Sequence, residues 1–177
     1  MKKNILVFGL ISGLIVTAMM VYSAAKCYAN DDFEGNIFLG YATMVVAFSM
    51  IFVGIKNFRD KFQNGAITFG KAFKIGLYIS LIASTIYVGV WLIDYYLFIP
   101  DFMDKYTAHV LKQIKSSGAS TAEINQKTVE MAGYKEMYKN PVYVILLTYF
   151  EVLPVGLVIS LLSALILKRK ASSNNVV

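Results

Sequence analysis

Glu151 is the residue in this chain most able to do chemistry, because of what surrounds it. It stands inside the apolar run 142–167, nine residues past its start. At ~1.5 Å per residue that is roughly 14 Å along a helix. An acidic side chain at the centre of a membrane-crossing helix costs on the order of 2.5–3.5 kcal/mol on insertion scales. Pro154 follows three residues later. It removes an N–H from the helix ladder and leaves the carbonyl of Phe150 without its usual donor. Thr148 lies about one turn before Glu151. A carboxyl group, a freed carbonyl and a hydroxyl make a candidate intramembrane polar site of Glu151, Pro154 and Thr148. Two readings stand for it. One is a proton or cation relay. The other is a neutral glutamic acid hydrogen-bonded to a neighbouring helix, with Ser80, Ser84 and Thr85 as available hydroxyls.

The other reactive residue types carry less. Asp94 stands near the end of the third apolar run, beside Trp91, Tyr95 and Tyr96, and reads as an interfacial carboxylate. Asp31, Asp32 and Glu34 share a short stretch with the turn-former Gly35, without calcium-loop spacing, and read as solvated. His109 has no second His or Cys to complete a metal site. Cys27 is the only cysteine, so it makes neither an internal disulfide nor a zinc or redox motif. There is no phosphate-cradling glycine loop, no paired histidines and no Ser/His or Cys/His set. The expectation is a protein that is not an enzyme, with no catalytic residue, no metal and no cofactor.

The elements that must hold Glu151 are four apolar runs, 5–25, 37–55, 75–99 and 142–167. Each is near the ~20 residues a helix needs to cross a bilayer. Of the 177 residues 57% are hydrophobic, against roughly 45–50% in a soluble domain, and the excess lies in these runs. The expected fold is all-α: a polytopic membrane protein of four transmembrane helices, forming one domain over 1–177. Lys2 and Lys3 ahead of the first run imitate a secretion signal, with Ser23, Ala24 and Ala25 as a possible cleavage site. The run is longer than the usual ~7–15-residue signal core, and a retained first helix is the expectation.

The net charge of +6 is unevenly placed. Lys2, Lys3, Lys56, Arg59, Lys61, Lys71, Lys74, Lys168, Arg169 and Lys170 fall on one side of the alternating helices, opposed only by Asp60. The connections on the other side are close to neutral. The positive-inside rule then puts both termini and the 56–74 loop in the cytoplasm. The basic excess points to anionic lipid heads rather than to nucleic acid. Phe58, Phe62 and Phe69 interleave with the loop cations, as in a segment lying on a membrane surface. Tyr22, Tyr28, Phe38, Trp91, Tyr95, Tyr96 and Tyr143 mark the opposite boundary, where amphipathic rings suit the headgroup level.

Between the third and fourth runs, 100–141 reads as an extracytoplasmic amphipathic helical hairpin. Phe102, Met103, Tyr106, Val110, Leu111 and Ile114 recur at helical spacing. Ser116-Ser117-Gly118 closes the first helix, and Ser120-x-x-Glu123 is a capping box opening the second. Ile124, Met131, Tyr134 and Tyr138 give the second helix one apolar face. Small residues four apart mark packing stripes: Gly9 and Gly13 in the first run, Gly76, Ser80 and Ser84 in the third, Gly156, Ser160 and Ala164 in the fourth. Such stripes let helix backbones approach closely. Packing within one chain is the preferred reading, and a homo-oligomer the alternative.

Several strings together resemble a known family. They are the Lys2-Lys3 start with Gly9 and Gly13, IFVGIKNFRD at 51–60, GAITFGKAFKIGL at 65–77, the Asn140-Pro141 helix entry, and EVLPVGLVISLLSALILKRK at 151–170. The chain resembles the bacterial family called domain of unknown function 4199 over nearly its whole length. The resemblance implies a small four-helix protein of the bacterial inner membrane and brings no catalytic residues. The expected function is a non-catalytic accessory or subunit of an envelope assembly, working through its outer hairpin with a membrane or periplasmic partner. The alternative is a small oligomeric transporter or ion-coupled protein using Glu151. Whether Glu151 faces a cavity or a packed helix discriminates between them.

Overall fold

A computed structural model describes residues 1–30, 33 and 37–170. The acidic stretch with Asp31, Asp32, Glu34 and Gly35 lies outside the described residues, as does the tail beyond 170. The described chain is all helical: α1 (Lys2–Asn30), α2 (Ile37–Phe62), α3 (Phe69–Ile93) continued by a π-turn (Asp94–Phe98), α4 (Phe102–Ser116), α5 (Thr121–Met137) and α6 (Pro141–Leu167). α1, α2, α3 with its π-turn, and α6 are long and apolar enough to cross a membrane. α4 and α5 form a hairpin between the third and fourth spans.

The helices overrun the apolar runs that reveal them. The stretch 56–74, read as a loop, is mostly helix: α2 runs on to Phe62 and α3 starts at Phe69. Lys and Arg are good helix formers, so the spans project past their apolar parts. The connection is a tight turn, in which Asn64 and Gly65 both take positive φ (49° and 79°). Thr68 then caps α3, its hydroxyl accepting from the Lys71 amide. The turn is stapled to the end of α6 by a two-way backbone bridge: the Ile67 amide donates to the Arg169 carbonyl (3.0 Å), and the Arg169 amide returns to Ile67 (2.9 Å). The guanidinium of Arg59 also donates to the Leu167 carbonyl, among the last of α6. Cationic groups beside a helix C-terminus offset its partial negative charge. We call this the basic end and the other the hairpin end.

The core sits where all four spans meet. Phe48, Ile51 and Ile55 of α2 and Ile75 and Ile79 of α3 are fully buried. The contact of α3 with α6 is the most extensive, followed by α1 with α3. On α1, Gly9 and Gly13 face Ile82, Ala83 and Ile86 of α3, and the Ser12 hydroxyl donates to the Ala47 carbonyl of α2 (2.9 Å). The outward faces are apolar: Leu14, Val46, Phe150 and Ile166 are each more than 60% exposed. In water such a surface would associate; around four spans it is the lipid contact of a multi-pass membrane protein.

At the hairpin end the caps expected from sequence are present. Ser120 and Glu123 close a reciprocal capping box, and the bonds from Ser120 hold the Glu123 carboxyl below its ordinary range. Asn140 accepts from the Val142 amide, with Pro141 in the first turn of α6. Pro fits there because its missing N–H would have no intrahelical partner in any case. Residues 94–98, expected as the regular end of a helix, instead form the π-turn, in which the Ile99 amide donates to the Asp94 carbonyl (2.9 Å). The wider turn buries Tyr95 beneath the hairpin.

Candidate functional site

The two longest-contacting helices, α3 and α6, run antiparallel and part company along their length. Near their middle they touch through small residues. Ser80 and Ser160 place their hydroxyl oxygens 3.0 Å apart, and each also has a carbonyl of its own helix in reach, Gly76 and Gly156; with one proton apiece, one hydroxyl donates across the pair while the other donates back to its helix. The pattern is reciprocal: a Cβ at Gly76 would fall 2.8 Å from Ser160 Cβ, and one at Gly156 would fall 2.8 Å from Ser80 Oγ. Ala164 is fully buried on the same stripe.

Beyond Ser84 the small residues give way to large ones, and a cavity of about 490 Å³ opens between α3, α4, α5 and α6. Helical spacing explains which side chains reach it. Tyr87 and Trp91 stand one turn apart on α3, and Leu147 and Glu151 one turn apart on α6, with Thr148 beside them. Met131 and Tyr134 of α5, with Tyr138 just past its end, line the roof, joined by Phe102 and Tyr106 of α4. The rings brace one another. Trp91 meets Phe102 edge-to-face at 5.3 Å, Phe102 stacks on Tyr106 at 5.9 Å, and Tyr138 meets Tyr95 edge-to-face at 5.3 Å.

Glu151 lies ten residues into α6 and is the deepest polar group of this wall along that helix. Among the described residues its carboxyl makes no hydrogen bond or ion pair. The hydroxyls expected to meet it are engaged elsewhere or turned away. Ser80 pairs with Ser160. Thr85 shares a hydrogen bond with Tyr149 (2.8 Å). Ser84 is fully buried, and its hydroxyl has no hydrogen-bond partner among the described residues. Thr148 lines the cavity, but its hydroxyl donates to the Val144 carbonyl of its own helix (2.7 Å). Pro154 is exposed and does not line the cavity, and α6 runs unbroken through it. The structure therefore brings Glu151 and Thr148 to one cavity and leaves Pro154 outside.

The remaining charges in the wall cancel. Lys127 pairs with Glu130 at 2.8 Å, which leaves Glu151 as the uncompensated carboxyl. Its field is felt by the roof: burial first, and then the Glu151 carboxylate, push the Tyr138 phenol up to about 12. A rim contact ties α1 to α4, where the Tyr28 hydroxyl donates to Asp101 at 2.8 Å. Lys105 pairs with the same carboxylate (3.0 Å) and lies over the Tyr28 ring at 4.3 Å. Those contacts hold the Asp101 carboxyl below its ordinary range, the Tyr28 bond contributing most. Lys135 of α5 pairs with Asp104 of α4 and closes the hairpin.

Other sequence candidates fall elsewhere. His109 is half-buried with its ring 6.4 Å from that of Phe33. Of the aromatics expected at the membrane boundary, Tyr22, Phe38, Tyr96 and Tyr143 are exposed, whereas Trp91, Tyr95 and Tyr28 turn inward to the cavity wall and its rim. Sequence reading missed the aromatic lining; its available signal is Tyr87-x-x-x-Trp91 and Tyr134-x-x-x-Tyr138, one-turn spacings hidden among the many rings of this end. No group of three or more His, Cys, Asp or Glu side chains comes together among the described residues.

No curated protein and no solved structure matches the chain. The family model described as "Protein of unknown function (DUF4199)" matches residues 7–169, which takes in most of the first span, all of the other three, the seam of Gly76, Ser80, Gly156 and Ser160, and Glu151. By that match this four-span membrane protein belongs to the DUF4199 family.

Proposed function

We propose that the chain is a non-catalytic membrane carrier that takes a small molecule into the Glu151 cavity and couples occupancy to the charge on that carboxyl. The observation that supports this is the placement of Glu151: it faces open space among aromatic rings, with no helix partner. A carboxyl group kept only to join helices would be bonded to one. The cavity is within the ~300–1,000 Å³ of ordinary small-molecule sites. Exposed Tyr106 and Tyr134 on its wall leave it in contact with the surroundings. Four helices give a single chain little room for a closed path, so transport would use an oligomer. In this reading, which the charge bias supports, the basic end and both termini lie in the cytoplasm of a bacterial inner membrane, against anionic lipid heads, with the cavity toward the outer face.

The test is labelling of intact membranes with dicyclohexylcarbodiimide, an apolar reagent that modifies protonated carboxyl groups at membrane depth. Glu151 is expected to react, faster at low pH, and an occupant of the cavity is expected to protect it. An inert Glu151 at every pH would mean a closed cavity and would end the carrier reading.

A second reading, an accessory subunit acting through the hairpin, is favoured by one observation. Val129 of α5 is 73% exposed and Met137 42% exposed. Crosslinking in native membranes from position 129 to one stoichiometric protein would support it, and would fail if only lipid or a second copy of the chain is caught.

A further inference from the structure

We infer that the Glu151 cavity is a site for an amphipathic organic cation, an alkylated or aryl-bearing ammonium, rather than for a neutral or anionic solute. This rests on the cavity being a small-molecule site and goes on to name its ligand class. Three features of the wall point the same way. Aromatic rings from α3, α4 and α5 surround the space, and a ring face attracts a cation through its quadrupole. Among the described residues Glu151 is the one carboxyl of the wall left without a partner, and its side chain is exposed to the space. Among the described residues the cationic side chain of the wall is Lys127, and it pairs with Glu130 at 2.8 Å.

Each feature excludes a rival. An anion would meet the Glu151 carboxylate with no free cation to offset it. An inorganic cation needs several oxygen ligands, and the wall offers mostly carbon around a single carboxyl group. A quaternary or hindered ammonium has few or no N–H groups to satisfy. It gains from rings and from one distant negative charge, and its apolar substituents fill the space beside Met103, Met131 and Leu147. A free amine and the ammonium of a lipid headgroup share this chemistry, so the source must be distinguished by the experiment.

The reporter is built in. Trp91 is the chain's single tryptophan and lines the cavity, so its fluorescence reads the site directly. The full chain in phosphatidylglycerol nanodiscs would be titrated with benzyltrimethylammonium, with neopentylbenzene (the same shape with carbon in place of nitrogen) and with phenylacetate. The ammonium is expected to change Trp91 emission at least about ten-fold more tightly than its neutral isostere, and Glu151→Gln to remove most of that preference. Tyr106→Leu, at a partly exposed position of α4, serves if the Glu151 variant fails to fold, and is expected to weaken the ammonium selectively.

Equal or tighter binding of neopentylbenzene or phenylacetate would overturn the cation assignment and leave the cavity a small-molecule site. No response to any of the three, with Glu151 unprotected from carbodiimide, would remove both. Repeating the titration in phosphatidylcholine separates the sources. Competition by that lipid identifies a headgroup ammonium as the occupant, and unchanged affinity identifies a free amine.

Discussion

The pairing of α3 with α6 is built in two ways along one line. In the middle it is a seam of Gly76, Ser80, Gly156 and Ser160, with helices so close that neither glycine has room for a Cβ. Toward the hairpin it becomes Tyr87, Trp91, Leu147 and Glu151 around about 490 Å³ of space. The seam is neutral, and its two hydroxyls find acceptors within it, in each other and in the helix carbonyls of Gly76 and Gly156. The cavity is aromatic, and its carboxyl is unmatched. Lipid supplies no hydrophobic drive between helices, so close packing and hydrogen bonds must hold the bundle. That task falls to the seam, and it frees the hairpin end to keep a cavity and an expensive acid. Stability and function are thereby separated along one helix pair.

The sharpest way to break this division is to add volume to the seam. Gly156→Leu would drive a side chain into Ser80 and into Phe48, whose Cε1 is 3.1 Å from the position of an added Cβ. Overpacking of a tight core costs about 1–3 kcal/mol and can exceed that. The variant is expected to unfold at markedly lower denaturant in a detergent titration. A wild-type transition would mean that the seam is looser than it stands here.

The converse experiment is Glu151→Gln. It removes the charge from the cavity and touches nothing in the seam. Its unfolding transition is expected within about 0.5 kcal/mol of wild type, while carbodiimide labelling and ligand-linked proton movement are lost. A large drop in stability with function intact would give Glu151 a structural role and reverse the comparison.

How far the sequence foretold these regions follows from what each is made of. The spans were legible because twenty apolar residues in a row have few alternatives to crossing a bilayer. The seam was legible because Gly and Ser four apart, as at 76 and 80 or 156 and 160, announce close approach. The depth of Glu151 was legible, but its partner was not, because direction around a helix depends on how neighbouring helices are rotated. Ser80 and Thr85 were reasonable partners by depth and proved to bond to Ser160 and Tyr149 instead. The aromatic wall was missed for a related reason. Trp91 and Tyr95 near a helix end suit a headgroup belt, and only the hairpin folding over them, with the π-turn at Asp94–Phe98, makes Trp91 a lining residue and Tyr95 the ring that braces Tyr138.

Within the seam, Ser80→Ala measures what the hydroxyl pair adds to close packing. Hydrogen bonds between membrane helices average about 0.6 kcal/mol. The Ser160 hydroxyl keeps its bond to the Gly156 carbonyl after the change. A loss of about that size is expected in the same unfolding titration, well below the effect at Gly156. A loss equal to that of Gly156→Leu would mean that hydroxyls, not shape, hold the helices together.

The smallest effect separates the two regions by pH. The seam has no titrating group, whereas α4 is tied to α1 through the Asp101 carboxylate. That carboxyl is held below its ordinary value by the Tyr28 hydroxyl and then by Lys105. A depressed carboxyl contributes its stabilisation above the ordinary value, about 3.9, and loses it as pH falls through the lowered one. The tie should therefore survive mild acid and release only below the usual carboxylate range, with the seam indifferent throughout. Carbon-13 NMR of Asp101 should show a midpoint below that of a free aspartate, and Tyr28→Phe should move it upward by removing the donor while leaving the ring under Lys105. An unchanged midpoint would mean that Lys105 alone sets the charge of Asp101. The hydroxyl of Tyr28 would then add nothing to holding the cavity roof against α1.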